Sequence, residues 1–293
     1  MQLISHNNLQ MSLKIEIDTL HHGDCLSVMP NIEAKSINMV CVDLPYGEIQ
    51  AEWDTKIDLS KMWTELKRIG TDNCIYAFFC STRFGVEIIN SNPTWYAYDI
   101  VWKKTNAVGF LNVKVCPLRA HEMIYIFKKK NKPKGCKSVY NPQKTEGVPY
   151  TRSFTGDNPE CVKKNGEANI YRTTNKNLNN IRNNTSRFPI SVIEFKKKRE
   201  TGHMTEKPLG LCEWLVKTYS NEGDTVLDFC MGSGTTCVAC VNTRRHYIGI
   251  EMDKKWYDNS VERVRGTPAP PANLPTPDEN VVIVVSDEEE AEE

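Results

Sequence analysis

No apolar run in these 293 residues approaches the roughly 18 needed to cross a bilayer, so a membrane-spanning helix is not expected. The stretch "MQLISHNNLQMSL" has neither a basic start nor a hydrophobic segment, so no secretory signal is expected. The chain lacks G-K-[ST] and a full G-x-G-x-x-G, which excludes a P-loop and disfavours a dinucleotide site. Cys237 and Cys240 form a C-x-x-C with no second pair. Zinc takes four ligands, so no metal is expected, and the two read as small residues on a buried helix face. Eleven cysteines are odd in number and scattered, and Cys41, Cys74, Cys80 and Cys230 sit in apolar segments. Buried thiols in a reducing compartment fit better than a disulfide framework. No internal repeat is evident, and no basic residue follows Arg265.

What is present is a globular composition, 40% hydrophobic, with charges unevenly distributed. Lys+Arg and Asp+Glu both number 37, yet residues 128–200 hold 18 basic against 6 acidic side chains, a net +12. Residues 267–293 carry 8 acids and no base. A basic middle suggests a polyanion partner; a solvated lysine-rich surface is the plainer alternative.

Apolar patterning predicts strands at "KIEIDTL" (14–20), "INMVCVD" (37–43), "NCIYAFFC" (73–80), "WYAYDIVWKK" (95–104), "EMIYIFKKK" (122–130), "DTVLDFC" (224–230) and "HYIGIEMD" (246–253). Between them lie helices: "LSKMWTELKRIG" behind Asp58, "KPLGLCEWLVKTYS", "TTCVACVNT" and "KKWYDNSVERV". Strands alternating with helices imply an α/β, doubly wound, mostly parallel sheet. Periodicity fades between 131 and about 188. The expected organisation is a frayed 1–13, a main domain from 14–130 and 201–266, a loop-rich basic insertion at 131–200 and a disordered acidic tail at 267–293.

Two strand ends carry chemistry. In "VLDFCMGSGTT" the strand that holds Asp228 and Cys230 runs into Gly232-Ser233-Gly234, and a helix opens at Thr235. The glycines permit a tight turn against which a ligand can lie. Glu251, 23 residues after Asp228, ends the next strand, where an acid commonly binds ribose hydroxyls. A mere tight turn is the bland alternative; strand, turn, helix, strand and acid together suggest an adenosyl ligand. The second end is "NMVCVDLPYGE". Asp43-Leu44-Pro45-Tyr46 offers a carboxylate, a carbonyl and a stacking ring on a turn stiffened by proline. That set suits an exocyclic amine on a planar base, held with its lone pair directed at an electrophilic methyl. Such a base has to leave the duplex to be reached.

With these residues the chain resembles the amino-group DNA methyltransferases that use S-adenosylmethionine, over about residues 15–262. "DLPY" is similar to their D-P-P-Y motif and "DFCMGSGTT" to their methionine-binding glycine motif. "HMTEKP" (203–208) resembles H-x-T-x-K-P, and "HHGDCLSVMP" resembles the segment bordering the cofactor adenine. "GFLNVKVCPLRAHE" and "YNPQKTEGVPY" are similar to segments of phage and bacterial members. The order, catalytic motif first and basic segment between, is that of the family's beta group. The resemblance implies a seven-stranded Rossmann-like sheet and a target-recognition role for the basic insertion on duplex DNA. It implies cofactor contacts from Asp24, Cys25, Thr205, Lys207, Pro208, Asp228, Cys230, Gly232, Ser233, Gly234, Thr235 and Glu251, and catalysis at Asp43, Leu44, Pro45 and Tyr46.

Leu44 stands where the family has proline and Cys230 where it usually has phenylalanine. Asp43, rather than serine, favours adenine-N6 over cytosine-N4. The rival readings are a cytosine-N4 enzyme, an inactive methyltransferase fold that binds DNA, and an RNA methyltransferase. Family members are often dimers, so a homodimer is an expectation. The tail "VVIVVSDEEE" resembles SUMO-interacting motifs that add a strand to a partner's sheet edge, with a solubilising acidic tail as the alternative. A bacterial or phage setting implies cytoplasm; a functional tail would imply a nucleus or viral factory.

Overall fold

The computed structural model describes residues 14–47, 55–152, 182–196 and 206–270. Thr205 and the tail segment 281–290 lie outside them. The main unit, residues 1–141 and 190–293, is built on one eight-stranded sheet. Its strands are β1 (Thr19–His22), β2 (Ile37–Asp43), β3 (Gly70–Cys80), β4 (Tyr96–Val108), β5 (Arg119–Lys128), β8 (Val192–Phe195), β9 (Thr225–Asp228) and β10 (His246–Glu251). They lie in the order β1-β10-β9-β2-β3-β5-β4-β8, and only β5 runs against its neighbours. The doubly wound, mostly parallel sheet is as expected, with one strand more than seven.

β2 shows why the sheet is covered on both faces. Val40 and Val42 pack with Met62, Trp63, Leu66 and Ile69 of α2 (Leu59–Ile69) and with Phe84 and Ile88 of α3 (Thr82–Ser91). Met39 and Cys41 face the other way, onto Leu211, Leu215 and Val216 of α4 (Leu209–Tyr219) and Ala239 and Cys240 of α5 (Thr235–Asn242). Alternate residues of a strand point to opposite faces, so a run that is apolar at every position needs two covers. Cys237 and Cys240 are buried and free, and no metal-ligating cluster occurs among the described residues.

Helix starts follow capping chemistry. Asp58 Oδ1 accepts from Ser60 N at 3.0 Å and Lys61 N at 3.1 Å. Asp253 does the same for α6 (Lys254–Arg265), and Asp24 accepts from Ser27 N at the start of the short α1 (Cys25–Val28). Strand β1 is shorter than "KIEIDTL" suggests, because only Thr19–His22 pairs with β10. The eighth strand comes from the region read as insertion. Ile193 and Phe195 are buried, and the backbone pairs in parallel with β4.

The second unit, residues 142–189, holds β6 (Thr145–Arg152) and β7 (Arg182–Arg187), paired antiparallel. Within it Lys144 Nζ sits 4.3 Å from the Phe188 ring centroid. No helix among the described residues is long and apolar enough to cross a membrane.

Candidate active site

Parallel pairing sends β1, β10, β9, β2 and β3 to the same rim, so the connections leaving their carboxyl ends are neighbours. A cavity of about 340 Å³ opens there. Asp24, Cys25, all of Asp43–Tyr46, Lys207, Asp228, Cys230, Gly232, Ser233, Thr235 and Glu251 line it. Two turns almost two hundred residues apart in the chain thus share one space. Gly234 and Pro208 do not border it; they start α5 and α4 behind the wall.

The glycine turn is shaped by backbone geometry. Gly232 and Gly234 have φ of 52° and 75°, in the left-handed region that side chains rarely adopt. At Gly234 a Cβ would also meet Ser260 Cβ at 3.0 Å. Glu251 Oε2 accepts from Gly232 N and Oε1 from Asp253 N, both at 2.8 Å, which ties the end of β10 to the turn. Burial raises the Glu251 carboxyl above its ordinary range against those two N–H bonds. Asp228, 5% exposed, is pushed up to about 7 by burial, although Thr236 and the Cys230 N–H hydrogen-bond it.

The Asp43 turn carries a charge chain that its sequence does not advertise. Leu44 is 3% exposed and belongs to the core, filling the place of the family's proline with apolar volume. Tyr46 is half-buried, not a free platform. Its hydroxyl donates to Asp43 Oδ1 at 2.7 Å, and its ring lies 5.3 Å from that of Phe84. Burial first, then the Asp43 charge, raises the Tyr46 phenol far above its usual range. Lys207 Nζ donates to Asp43 Oδ2, lies 3.5 Å from Glu122 Oε2 and sits 5.1 Å from the Phe79 ring centroid. Lys104 pairs with the other Glu122 oxygen. Burial alone would lower the Lys207 ammonium, but the Asp43 and Glu122 carboxylates more than reverse that and hold it charged. Glu122 resists burial likewise, kept below its ordinary range by Lys207 and Lys104.

Lys207, expected among the cofactor groups, is therefore seated on the Asp43 carboxylate. Glu122 was not legible as a site residue, because β5 runs antiparallel and brings its start, not its end, to this rim, and Lys104 of β4 joins the site only through its pairing with Glu122. Arg263 was missed too. From α6 it donates to Ser233 O at 3.1 Å and Thr235 Oγ1 at 3.0 Å, and pairs with buried Glu206 at 3.0 Å. Its only sequence signal is a basic residue late in a helix.

The family described as DNA methylase, for N6 and N4 amino groups, matches residues 37–262. The chain belongs to this DNA methylase family. It is 35% identical over 265 residues to the type II methyltransferase M.HpaI of Haemophilus parainfluenzae, covering 83% of this chain and 72% of that one. It is 25% identical to M1.MboII of Moraxella bovis over 258 residues, 84% of this chain and 96% of the relative. Among solved structures, M1.HpyAVI with bound SAM aligns at a TM-score of 0.54 and 24% identity, covering 84% of this chain and 98% of that one. The cytosine-N4-specific PvuII methyltransferase aligns at 0.56 and 13%, covering 86% and 88%. At those identities the structures establish the shared fold.

DNA is thus the methylase's substrate class and S-adenosylmethionine its methyl donor. The cavity's residues fit that donor. Glu251 keeps acceptor lone pairs beyond the N–H bonds it accepts, which suits ribose hydroxyls. Asp228, a buried carboxyl poised near neutrality, suits a cation.

Proposed function

We propose that this DNA methylase transfers methyl to the N6 amine of an adenine swung out of duplex DNA. The observation that carries the reading is the shared cavity: Asp43–Tyr46 and Gly232–Glu251 border one space. S-adenosylmethionine, held by Asp24, Cys25, Asp228, Gly232, Ser233 and Glu251, supplies an electrophilic methyl group.

The chain's own residues hold the acceptor. Asp43 Oδ1 and Oδ2 each keep a lone pair beyond those engaged by Tyr46 and Lys207. One N–H of the amine is held there and the other by the Leu44 carbonyl. Holding both takes the nitrogen out of conjugation with the ring and points its lone pair into the cavity. Lys207 fixes the plane of the Asp43 carboxylate, so the acceptor is preorganised before the base arrives. Tyr46 borders the cavity, and its half-buried ring, packed on Phe84, offers the remaining face for stacking. Pro45 holds the turn rigid and offers no N–H to compete with the amine. Aspartate at position 43 supports adenine over cytosine.

Incubation of the full chain with S-adenosylmethionine and mixed-sequence duplex, followed by mass analysis of the nucleosides, tests this. N6-methyladenine is the expected product. N4-methylcytosine in its place would overturn the base assignment, and no methylated nucleoside would overturn the activity.

A further inference from the structure

A second, open cavity adjoins the catalytic turn, lined by Gly47, Ser81, Thr82, Arg83 and Arg119. Gly47 directly follows Tyr46, and Arg119 begins β5, the strand that delivers Glu122 to the same rim. Among the described residues, both charged side chains that line it are arginines and no carboxylate does. Arg119 Nη2 is buried with no hydrogen-bond partner among the described residues, while its Nε donates to His121 O at 3.2 Å. Arg83 is exposed, and no hydrogen bond or ion pair engages it among the described residues.

Two nearby acids among the described residues are committed elsewhere. Glu122 is held by Lys104 and Lys207, and Glu87 of α3 by Lys56 at 2.8 Å. The ten-residue α3 also starts here. Ser81 accepts from the amides of Phe84 and Gly85, and Thr82 and Arg83 carry the first two N–H groups of the helix, which have no carbonyl within it to bond. Two guanidinium forks and two helix-start amides around a hollow that no carboxylate of the described residues lines fit a phosphate oxyanion.

We propose that this cavity seats a phosphodiester of the strand that carries the target base. The proposal rests on the DNA methylase reading and adds to it the point where the backbone is gripped. A nucleotide swung into the catalytic cavity brings its flanking phosphates with it, and one phosphate held beside Gly47 fixes how far the base enters. The same chemistry would accept free inorganic phosphate, so the test separates the two sources.

The full chain and its Arg83→Gln/Arg119→Gln double variant are compared by fluorescence anisotropy on duplex DNA across a salt series, with methyl-transfer kinetics alongside. Loss of one phosphate contact makes the slope of log affinity against log salt shallower by about 0.7–0.9. We expect that change, a KM for DNA raised about tenfold, kcat within about twofold and unchanged S-adenosylmethionine affinity. A double variant that melts with the wild type yet keeps its salt slope and KM overturns the proposal. Calorimetric binding of inorganic phosphate by the wild type, with the duplex slope insensitive to the substitutions, overturns the assignment to DNA. A wild type that binds duplex with the expected slope change but transfers no methyl contradicts the activity and supports the phosphate seat.

Discussion

Glu122 is the residue that best separates holding a side chain from doing chemistry. It does not line the cavity, yet it is one of the two carboxylates on the buried Lys207. Removing its charge leaves Lys207 on Asp43 alone and lets that pair shift. Glu122→Gln is expected to lower kcat about tenfold to a hundredfold at unchanged S-adenosylmethionine affinity, and Glu122→Asp to recover part of it. Unchanged kcat in Glu122→Gln would remove the positioning role. Asp228 makes the pH prediction. Its folded carboxyl titrates near 7 because burial disfavours the charge, against an ordinary value of 3.8. The folded chain therefore binds this proton more tightly than the unfolded one, and the group's contribution to stability declines as pH rises from about 4 to about 7. A cationic donor needs the charged form, so its affinity should weaken toward about tenfold per pH unit below 7. Asp228→Asn should flatten that profile, raise Tm at pH 8 and weaken donor binding. Calorimetric titrations at pH 6, 7 and 8 check this.

At the scale of elements, the glycine turn and β8 give the clearest tests. Gly234 combines a φ of 75° with contact against Ser260, so Gly234→Val is strained in backbone and in packing. It should cost about 2–4 kcal/mol and abolish donor binding, read by thermal melting with and without S-adenosylmethionine. Ile193 is fully buried on β8, and Ile193→Ala should destabilise by about 2–5 kcal/mol in denaturant melts. A cost under about 0.5 kcal/mol, the range of a surface change, would mean that β8 is not packed as described. The strands β2, β3, β9 and β10 were legible because a parallel sheet covered on both faces writes itself as unbroken apolar runs. β8 was not, since "VIEF" is four paired residues between a Phe-Pro step and a lysine run, too short for its alternation to register. The end of the basic segment thereby passes to the main sheet, and the separate unit is residues 142–189.

For the whole molecule, the legible part of the site was the part carried by local turns: Asp43–Tyr46 at one strand end, Gly232–Gly234 and Glu251 at two others. The illegible part is non-local. Lys207 reaches Asp43 across 164 positions, and Arg263 braces Ser233 from α6, pairings that only the strand order creates. The central claim is that two turns distant in the chain make one site with separable duties, amine holding at Asp43 and donor holding at Gly232–Glu251. The most direct measurement compares wild type and Asp43→Ala for tritiated-methyl transfer to duplex DNA and for S-adenosylmethionine affinity in parallel. Transfer should fall by about a thousandfold or more while donor affinity stays within a few-fold of wild type. Turnover at the wild-type rate in Asp43→Ala would contradict the account.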